Sequence, residues 1–476
     1  MKLSRRQLLG AAAGGSLVLA GGCAQVSRVV NGPPPSLEPP RHNVEPDLAC
    51  INRFAFGLSA LDDKPLRQGR RAWFEEQLSP SADEPGTLAL ALWRMDIHHL
   101  TAYELRDIPV PRIIEQLQRG AILRAVYSPW QVRERMVDFW SNHFSIFARK
   151  GLAAYRKPQD EREVIRAHCL GSFPEMLKAS ARSTAMLLYL DQQASSFSQP
   201  NENYARELLE LHSLGVDAGY TQQDVMEAAR CFTGWTEERR FLKARGQFVF
   251  REDLHDDGVK EVLGHRILPD GVKEGEKIVE IVSMHPSTAR HIARKLCLNF
   301  LGREDEEVTK PVSDAYLASK GDIKTMLWAL YDLSEAGLAK STIKRPFDVA
   351  VTAIRSLGAE TDGGSPLQDR LAKMGQPLYQ WPMPDGFPVD AVAWKGSLLA
   401  RWNFALDLAE GRIKGSFLNH ERLKGLDAAG ICSAMMGVSP DSSRMKSLMA
   451  RMPDSMKPVE TAALCLASSD FQWRHA

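Results

Sequence analysis

Apolar residues recur with the spacing of α-helices through nearly the whole chain after residue 47, and only one region alternates as a β-hairpin does. The clearest helix has Ser128 as its N-cap and Pro129 in its first turn. Its broad apolar face consists of Val132, Met136, Phe139, Trp140, His143 and Phe144. Residues 246–250 alternate, and a turn signal separates them from a return segment at 259–263. We therefore expect a mainly α fold, a large multi-helix domain with one small β-hairpin near residues 246–264.

The charges of the chain nearly cancel, because 60 Lys and Arg residues stand against 59 Asp and Glu residues, a formal net charge of +1. Proteins dedicated to nucleic acids usually carry a basic excess on one face, so we expect no nucleic-acid partner. After the N-terminal segment, no stretch reaches the ~18 uninterrupted apolar residues of a membrane-spanning helix.

The first 23 residues have the pattern of an export signal. Lys2, Arg5 and Arg6 form a positive region, and the weakly apolar segment Leu8–Ala20 follows them. The paired arginines resemble a twin-arginine signal, which is read by a machinery that exports folded proteins. The alternative is a generic secretion signal that happens to contain two arginines. We expect the twin-arginine export machinery as a partner and the periplasm as the destination.

Cys23 follows a segment that resembles a lipoprotein cleavage site, although Ala20 stands where a leucine is expected. A lipid on Cys23 would be the one membrane attachment; cleavage nearby without lipidation is the alternative. Residues 24–46 are rich in proline and predict an extended tether. We expect residues 47–476 to form a single large helical domain behind this tether.

The seven cysteines are widely scattered and form no CxxC pair. Most of them lie in apolar helical contexts, where a thiol behaves as a small hydrophobic group. We expect them to be buried and structural, although the spacing alone neither assigns nor excludes disulfides.

The most polar helical stretch runs from Asn201 to Trp235. Asn201 is the expected N-cap of a helix over residues 202–214, and Gly215 is its expected left-handed C-cap residue. Thr221 and Asp224 predict a capping box for a second helix, over residues 222–231. On the first helix, one polar face is formed by Asn203, Arg206, Glu207 and Glu210. His212 lies on the opposite, apolar side, so the helix alone cannot supply one compact ligand set.

A divalent metal is the cofactor hypothesis that these residues allow. Its predicted ligands are His143, His212 and His255. Both His143 and His212 are expected on buried faces, where a shared metal would satisfy otherwise unpaired nitrogens. The alternative is that each histidine is a core residue bonded to a neighbouring acid, because buried polar groups usually have partners. No HExxH motif occurs to decide between the two.

Two further sets of residues complete the predicted site. The candidate catalytic residues are Arg206, Glu207, Glu210 and Asp191. The candidate cofactor-binding residues are Asn203, Trp235 and Arg230. The alternative for the charged members is an internal ion-pair network that locks two helices together. The alternative for Trp235 is a core anchor.

Several segments together resemble the bacterial family catalogued as domain of unknown function 1800. They are INRFAFG (51–57), SPWQVRERMVDFWSNHFSIF (128–147), MLLYLDQQAS (186–195), NENYARELLELHSLGV (201–216), YTQQDVMEAARCFTGW (220–235), FVFREDLHDDGVKEVLG (248–264), HPSTARHIARKL (285–296), MGQPLYQWPMPDGFP (374–388) and LASSDFQWR (466–474). The resemblance implies an exported protein, often one that uses the twin-arginine route, and it implies no established activity. This chain departs from the pattern at Gln192, where asparagine is expected, and at Ser469-Asp470, where Pro-Glu is expected.

Two functions remain open on the sequence. The first is a periplasmic enzyme assisted by a metal or another cofactor, with its site around helix 202–214. The second is a non-catalytic envelope protein for binding or assembly, whose polar motifs are structural ion-pair networks. Acids and histidines that converge in one pocket would favour the enzyme, and dispersed, individually bonded histidines would favour the second function.

Overall fold

The computed structural model describes residues 45–59, 67–81, 84–240, 246–453 and 455–475. Most of these residues lie in α-helices, which we number in chain order. The α-helices are α1 Glu45–Phe54, α2 Arg70–Gln77, α3 Gly86–Trp93, α4 Val110–Tyr127, α5 Gln131–His143, α6 Ala153–Asp160, α7 Phe173–Arg182, α8 Thr184–Tyr189, α9 Glu202–Glu207, α10 Gln222–Cys231, α11 Val272–Ser283, α12 Pro286–Leu301, α13 Glu306–Ser319, α14 Ile323–Glu335, α15 Pro346–Leu357, α16 Ser365–Lys373, α17 Leu398–Ala409, α18 Ala428–Met436, α19 Ser443–Met449, α20 Pro458–Ala467 and α21 Ser469–Gln472. The predicted mainly α fold is confirmed.

Two segments are π-helices that continue an α-helix without a break. The first, π1, is Glu161–Arg166 after α6, and the second, π2, is Leu208–Ser213 after α9. Such segments are rare and often occur at functional sites. Short 3₁₀ turns are Asp96–His98, Glu104–Asp107, Gln192–Ala194, Glu252–Leu254, Ala391–Ser397 and His420–Leu423.

The strands described in the structure form four short antiparallel pairs. These pairs are β1 Trp235–Glu237 with β2 Phe248–Phe250, β3 Lys260–Val262 with β4 His265–Ile267, β5 Thr342–Ile343 with β8 Trp473–Arg474, and β6 Glu360–Thr361 with β7 Ser416–Phe417. Both strands of the predicted hairpin exist, but the predicted pairing between them is wrong. Trp235 packs its ring against Phe248 at 5.2 Å and so holds β1 against β2. A 3₁₀ turn and the buried His255 then separate β2 from β3.

The hydrophobic core contains two large clusters. The first extends from Cys50 to Tyr331 and includes the apolar face predicted for α5. The second joins residues of α4 to helices of the last third of the chain, from Phe347 to Phe471. Within α5, Val132, Met136 and Trp140 are fully buried, which confirms the predicted face. The helix itself begins later than predicted, at Gln131, because the Ser128 hydroxyl accepts a hydrogen bond from the Trp130 amide and closes a turn before the helix.

The buried carboxylate of Asp348 links the two clusters. Arg135 of α5, Arg474 of β8 and Arg345 all pair with it, and Arg345 also pairs with Asp138 of α5. Burial disfavours the charged carboxylate, but the three guanidinium groups outweigh burial and hold the pKa of Asp348 well below its ordinary value. The network therefore fixes α5 against α15 and β8.

The remaining predictions of this kind concern the cysteines, the N-terminal segments and the number of domains. All six cysteines within the described residues are buried, as predicted, and the structure shows them as free thiols, a point that their spacing left open. The predicted signal at 1–23, Cys23 and most of the tether 24–46 lie outside the described residues, whereas Glu45 and Pro46 already belong to α1. None of the described helices is long and apolar enough to cross a membrane. The single-domain expectation stays a prediction.

The Asp348 network predicts a large loss of stability when its acid is removed. We expect Asp348→Ala to lower the free energy of unfolding by about 3–5 kcal/mol, because three buried guanidinium groups lose their shared counter-charge. Urea unfolding followed by circular dichroism measures this loss. Asp332→Ala is the control, because Asp332 and its partner Arg71 are about two-thirds exposed and 3.5 Å apart, so we expect a loss of at most ~1 kcal/mol. Equal losses for the two variants would contradict the role given to Asp348.

Candidate functional site

The helix predicted over residues 202–214 exists, but it changes type halfway. The Asn201 side chain accepts a hydrogen bond from the Tyr204 amide at 3.1 Å, which confirms the N-cap. The α-helix α9 ends at Glu207 and π2 takes over, ending just before Gly215, whose φ is +86°. The wider π turn changes side-chain directions after Glu207, so an α-helical wheel no longer describes them. The apolar Leu211 is accordingly only partly buried.

Two histidines from other helices cap the end of π2. The last carbonyls of a helix lack partners within it. The Nε2 atom of His143, at the end of α5, lies 3.2 Å from the carbonyl oxygen of His212. The Nε2 atom of His291, on α12, lies 3.2 Å from the carbonyl oxygen of Leu211. Because a carbonyl only accepts hydrogen bonds, both Nε2 atoms must carry the proton and donate.

The caps bring three imidazole rings together. The ring centroids of His143 and His212 lie 6.1 Å apart, and those of His143 and His291 lie 6.3 Å apart. His143 and His212 are only 1% and 2% exposed. Nδ1 of His143 and Nε2 of His212 are buried and have no hydrogen-bond partner among the described residues. Capping thus accounts for Nε2 of His143, whereas Nδ1 of His143 and Nε2 of His212 remain without a hydrogen bond from the described residues.

The three rings are neutral at pH 7. Burial lowers the pKa of His143 well below its ordinary value, and the positive charge of Lys295 lowers it further. The same two causes, in the same order, lower the pKa of His212 to about 3 and that of His291 to about 4.

Lys295 is the charged group that faces this cluster. It lies one turn after His291 on α12, is partly buried, and forms no hydrogen bond or ion pair with any residue that the structure describes. Burial lowers the pKa of Lys295 to about 8, and the charge of Asp385 offsets only part of that effect. An amine with such a pKa is partly unprotonated near neutral pH, which is the reactive form.

Two carboxylates, those of Glu207 and Asp385, are close enough to interact electrostatically. Glu207 is partly buried and has no hydrogen bond or ion pair among the described residues. Burial raises the pKa of Glu207, and the neighbouring charges of Glu210 and Asp385 raise it further. Asp385 is exposed and accepts a hydrogen bond from Nε1 of Trp381 at 2.9 Å. Asp385 therefore acts electrostatically on both Lys295 and Glu207.

The loop that carries Asp385 is fixed to α5. The Asn142 side chain donates to the carbonyl oxygen of Phe387 at 2.9 Å and accepts from the Phe387 amide at 2.8 Å. Gly386 has φ +79°, and a side chain there would collide with the Asn142 carbonyl group. The Tyr189 hydroxyl holds the other end of the loop through the carbonyl oxygen of Pro382 at 2.9 Å. Consecutive residues of α5, Asn142 and His143, thus position the loop and the cluster.

Four predicted polar residues lie at least partly exposed on α9, π2 and the preceding turn. Arg206 pairs with Glu210 at 3.5 Å and bonds Gln222 of α10 at 2.7 Å. Asp191 pairs with Lys150 at 2.7 Å, and both side chains are well exposed. Asn203 is exposed. Of the predicted catalytic residues, Glu207 is the one that has no partner of its own.

The remaining predicted residues belong to two other places. Trp235 is fully buried in the first core cluster between Phe232 and Phe248, which is the core-anchor alternative. Arg230 pairs with Asp256 and with Glu227, each at 2.8 Å. These ion pairs agree with the network alternative, although they tie α10 to the β2–β3 connection and not to α9.

His255 lies in the same connection and is fully engaged there. Its Nε2 atom lies 2.9 Å from a Glu274 carboxylate oxygen, and its Nδ1 atom lies 2.8 Å from the carbonyl oxygen of Thr233. Lys260 also pairs with Glu274. Both nitrogens of His255 therefore have partners, and the residue is not free to act as a third ligand beside His143 and His212.

The donor set does not fit a shared metal ion. Nowhere in the described parts of the chain are three His, Cys, Asp or Glu side chains placed so that they could hold one metal. In the histidine cluster, the Nε2 atoms of His143 and His291 are directed at backbone carbonyls. The arrangement suits a desolvated amine beside neutral imidazoles better than it suits a metal centre.

The sequence analysis did not select His291, Lys295 or Asp385. The first two are four residues apart in HPSTARHIARKL, a spacing that places them on one helical face. Asp385 lies in a second segment of the family resemblance, and His143 and Glu207 lie in two others, so these residues come from four such segments. The grouping of polar residues from several family segments was the sequence signal that could have indicated this site.

The comparisons with known proteins agree with that resemblance. A family model described as "Protein of unknown function (DUF1800)" matches residues 49–473. No curated protein and no solved structure matches the chain.

The lowered pKa of Lys295 predicts an unusual pH dependence of its reactivity. We expect labelling of Lys295 by an amine-reactive ester to rise with a midpoint near pH 8 in the folded protein. In urea, the midpoint should return to the value of an ordinary lysine, about 10.4. Peptide mass spectrometry after short labelling times measures both. Identical midpoints in the folded and unfolded chain would show that burial does not act on this amine.

Proposed function

The chain belongs to the DUF1800 family of proteins of unknown function, and we propose that this member is an exported enzyme whose reacting group is the Lys295 amine. One observation carries the proposal. The amine is partly buried beside three histidine rings, and the described structure provides it with neither a hydrogen bond nor an ion pair. A partly buried lysine without an ion pair is a functional candidate, because burial without a counter-charge disfavours its ammonium form.

The chemistry that fits this amine is attack on a small carbonyl compound. The lone pair of the neutral Nζ forms a bond to the carbonyl carbon, and the C–O double bond becomes a single bond to a hydroxyl group. Nζ gives up its two protons in the course of the reaction, the oxygen gains two, and it leaves as water while the C=N bond of an imine forms. The imidazoles help to bury the amine and, being neutral, place no positive charge beside it.

Glu207 is the proposed proton donor to the departing oxygen. A carboxyl group with a raised pKa keeps its proton closer to neutral pH than an exposed acid does. Glu210, held by Arg206, supplies the negative charge that maintains this state. Asp191, already paired with Lys150 at the surface, has no step in this scheme. Metal assistance is not part of the proposal, because the donors do not converge.

The envelope binding or assembly function is the second candidate. The observation that favours it is the set of satisfied polar motifs, in which Arg230, Asp256, His255 and Glu274 all have partners. Their ion pairs and hydrogen bonds explain these residues without any catalytic step. The unpartnered Lys295 and Glu207 are what this second function leaves unexplained.

We propose export for reasons that lie in the sequence. Arg5 and Arg6 fit a twin-arginine signal, and Cys23 with the proline-rich segment after it fits a lipid anchor and tether. The working location is therefore the periplasm, with membrane attachment through Cys23.

Reductive trapping tests the proposed amine directly. With glyoxylate and sodium cyanoborohydride at pH 7.5, we expect the adduct to form first on Lys295. At pH 7.5, an amine with a pKa of about 8 has a neutral fraction on the order of a hundredfold above that of an ordinary lysine. Peptide mapping locates the adduct. Adducts that follow surface exposure, with Lys310 (68% exposed) ahead of Lys295, would overturn the proposal.

Glu207→Gln tests the acid within the same assay. We expect trapping on Lys295 to slow by roughly a hundredfold, because the departing oxygen loses its proton donor. Glu202→Gln is the matched control on the same helix, since Glu202 is bonded to Gln222 at the surface, and its rate should equal that of the unmodified protein. A normal rate in Glu207→Gln would remove Glu207 from the scheme.

Fractionation of expressing cells tests the location. The double substitution Arg5→Lys, Arg6→Lys should retain the protein in the cytoplasm. Cys23→Ser should leave export intact and release the protein from the membrane fraction into the soluble periplasm. Export that continues in the double variant would indicate a general secretion signal, and an unchanged membrane fraction in Cys23→Ser would exclude the lipid anchor.

A further inference from the structure

A second polar site lies on the opposite side of α5 from His143. It is a cavity of about 80 Å³ between α4, α5, π1 and the loop after α16. A cavity of that size has space for roughly three water molecules. Its charged and polar walls include His98, Arg124, Glu134, Glu161, Arg166 and Tyr379. None of these residues takes part in the Lys295 site.

The acids of the cavity wall are already neutralised. Arg166 binds both oxygens of Glu134, with contacts of 2.6 and 2.9 Å. Glu161 pairs with Lys157 at 2.6 Å and accepts a hydrogen bond from Ser141 at 2.9 Å. The third acid, Asp138, belongs to the Asp348 network through Arg345. The acids therefore offer an incoming anion little repulsion.

The donors of the cavity wall, in contrast, have unused hydrogen-bonding capacity. The Arg124 guanidinium forms an ion pair with Glu84 at 3.7 Å, but it donates no hydrogen bond to any described residue. Burial lowers the pKa of Arg124 to about 10, so the group keeps its charge at neutral pH. Nε2 of His98 is buried and unbonded. The Tyr379 hydroxyl has no hydrogen bond within the described part of the chain.

The backbone at Tyr379 is held in a costly conformation that presents this side chain to the cavity. Its φ is +60°, in the left-handed region that non-glycine residues rarely adopt. The Ala148 amide donates to the Tyr379 carbonyl oxygen at 2.9 Å, and Lys157 lies over the ring at 5.6 Å. Backbone strain of this kind persists only where the surrounding structure enforces it, and it is concentrated at active sites and ligand-binding sites.

We propose that this cavity binds one small oxyanion, with the Arg124 guanidinium as its principal donor and Tyr379 and His98 as additional donors. The planar fork of an arginine matches the oxygen pair of a carboxylate or a phosphate. The cavity volume limits the ligand to an ion of a few heavy atoms. Arg162, also in the wall and about one-third exposed, lies where the cavity approaches solvent.

Calorimetric titration of the full chain with sodium phosphate and, separately, sodium acetate tests the proposal. Ionic strength is held constant with chloride. We expect one binding site per chain for one of the two anions, and the anion that binds distinguishes a tetrahedral from a planar ligand. Arg124→Gln should weaken that binding about tenfold or more, because a charged donor is lost. Tyr379→Phe should weaken it roughly twofold to tenfold.

Arg112→Gln is the matched control on the same helix, because Arg112 is 60% exposed and pairs with Asp96 at 2.8 Å. Its binding should equal that of the unmodified chain. Absence of binding by both anions overturns the proposal, as does unchanged binding in Arg124→Gln. If Arg124→Gln does not fold, Tyr379→Phe decides, since it removes one unbonded hydroxyl; unchanged binding in that variant then overturns the assigned donors.

Discussion

The buried end of π2 is the constraint on which the site depends. Carbonyl groups at a helix end need donors, and here the structure supplies them from two histidines, His143 and His291, on two other helices. Each histidine uses its Nε2 proton for the cap, which fixes the tautomer and turns Nδ1 away from the carbonyl. Burial keeps the rings uncharged. The cluster is therefore a desolvating environment for Lys295, and the lowered pKa of that amine follows from the way one helix ends.

Helix α5 separates the two polar sites and determines the geometry of both. One side carries His143 to the end of π2, and the other carries Glu134 and Asp138 to the small cavity. Arg135 and Asp138 fasten the helix to the Asp348 network, so α5 has little freedom to rotate. Asn142 fixes the loop that supplies Asp385 to one site, and the same loop brings Tyr379 to the other. The two sites thus share one helix and one loop.

What the sequence could predict was local. The caps at Asn201 and at Thr221 with Asp224 depend on residues three positions apart, and both are confirmed. The apolar faces placed His143 and His212 inside, and both are buried. Strand pairing near residue 250 and the partners of His255 depend on packing against distant residues, and they did not follow from the pattern. A helical lysine normally predicts a solvated surface, so Lys295 could be found only once α12 was packed against π2.

Neutron diffraction from crystals at pH 9 tests the central claim most directly, because it locates the protons on nitrogen. The account predicts an uncharged Lys295 amine with two deuterons on Nζ, together with deuterons on Nε2 but not on Nδ1 of His143 and His291. Three deuterons on Nζ, or deuterons on both nitrogens of His143, would contradict the account, because the amine would then be an ordinary solvated lysine or the cluster a cationic one.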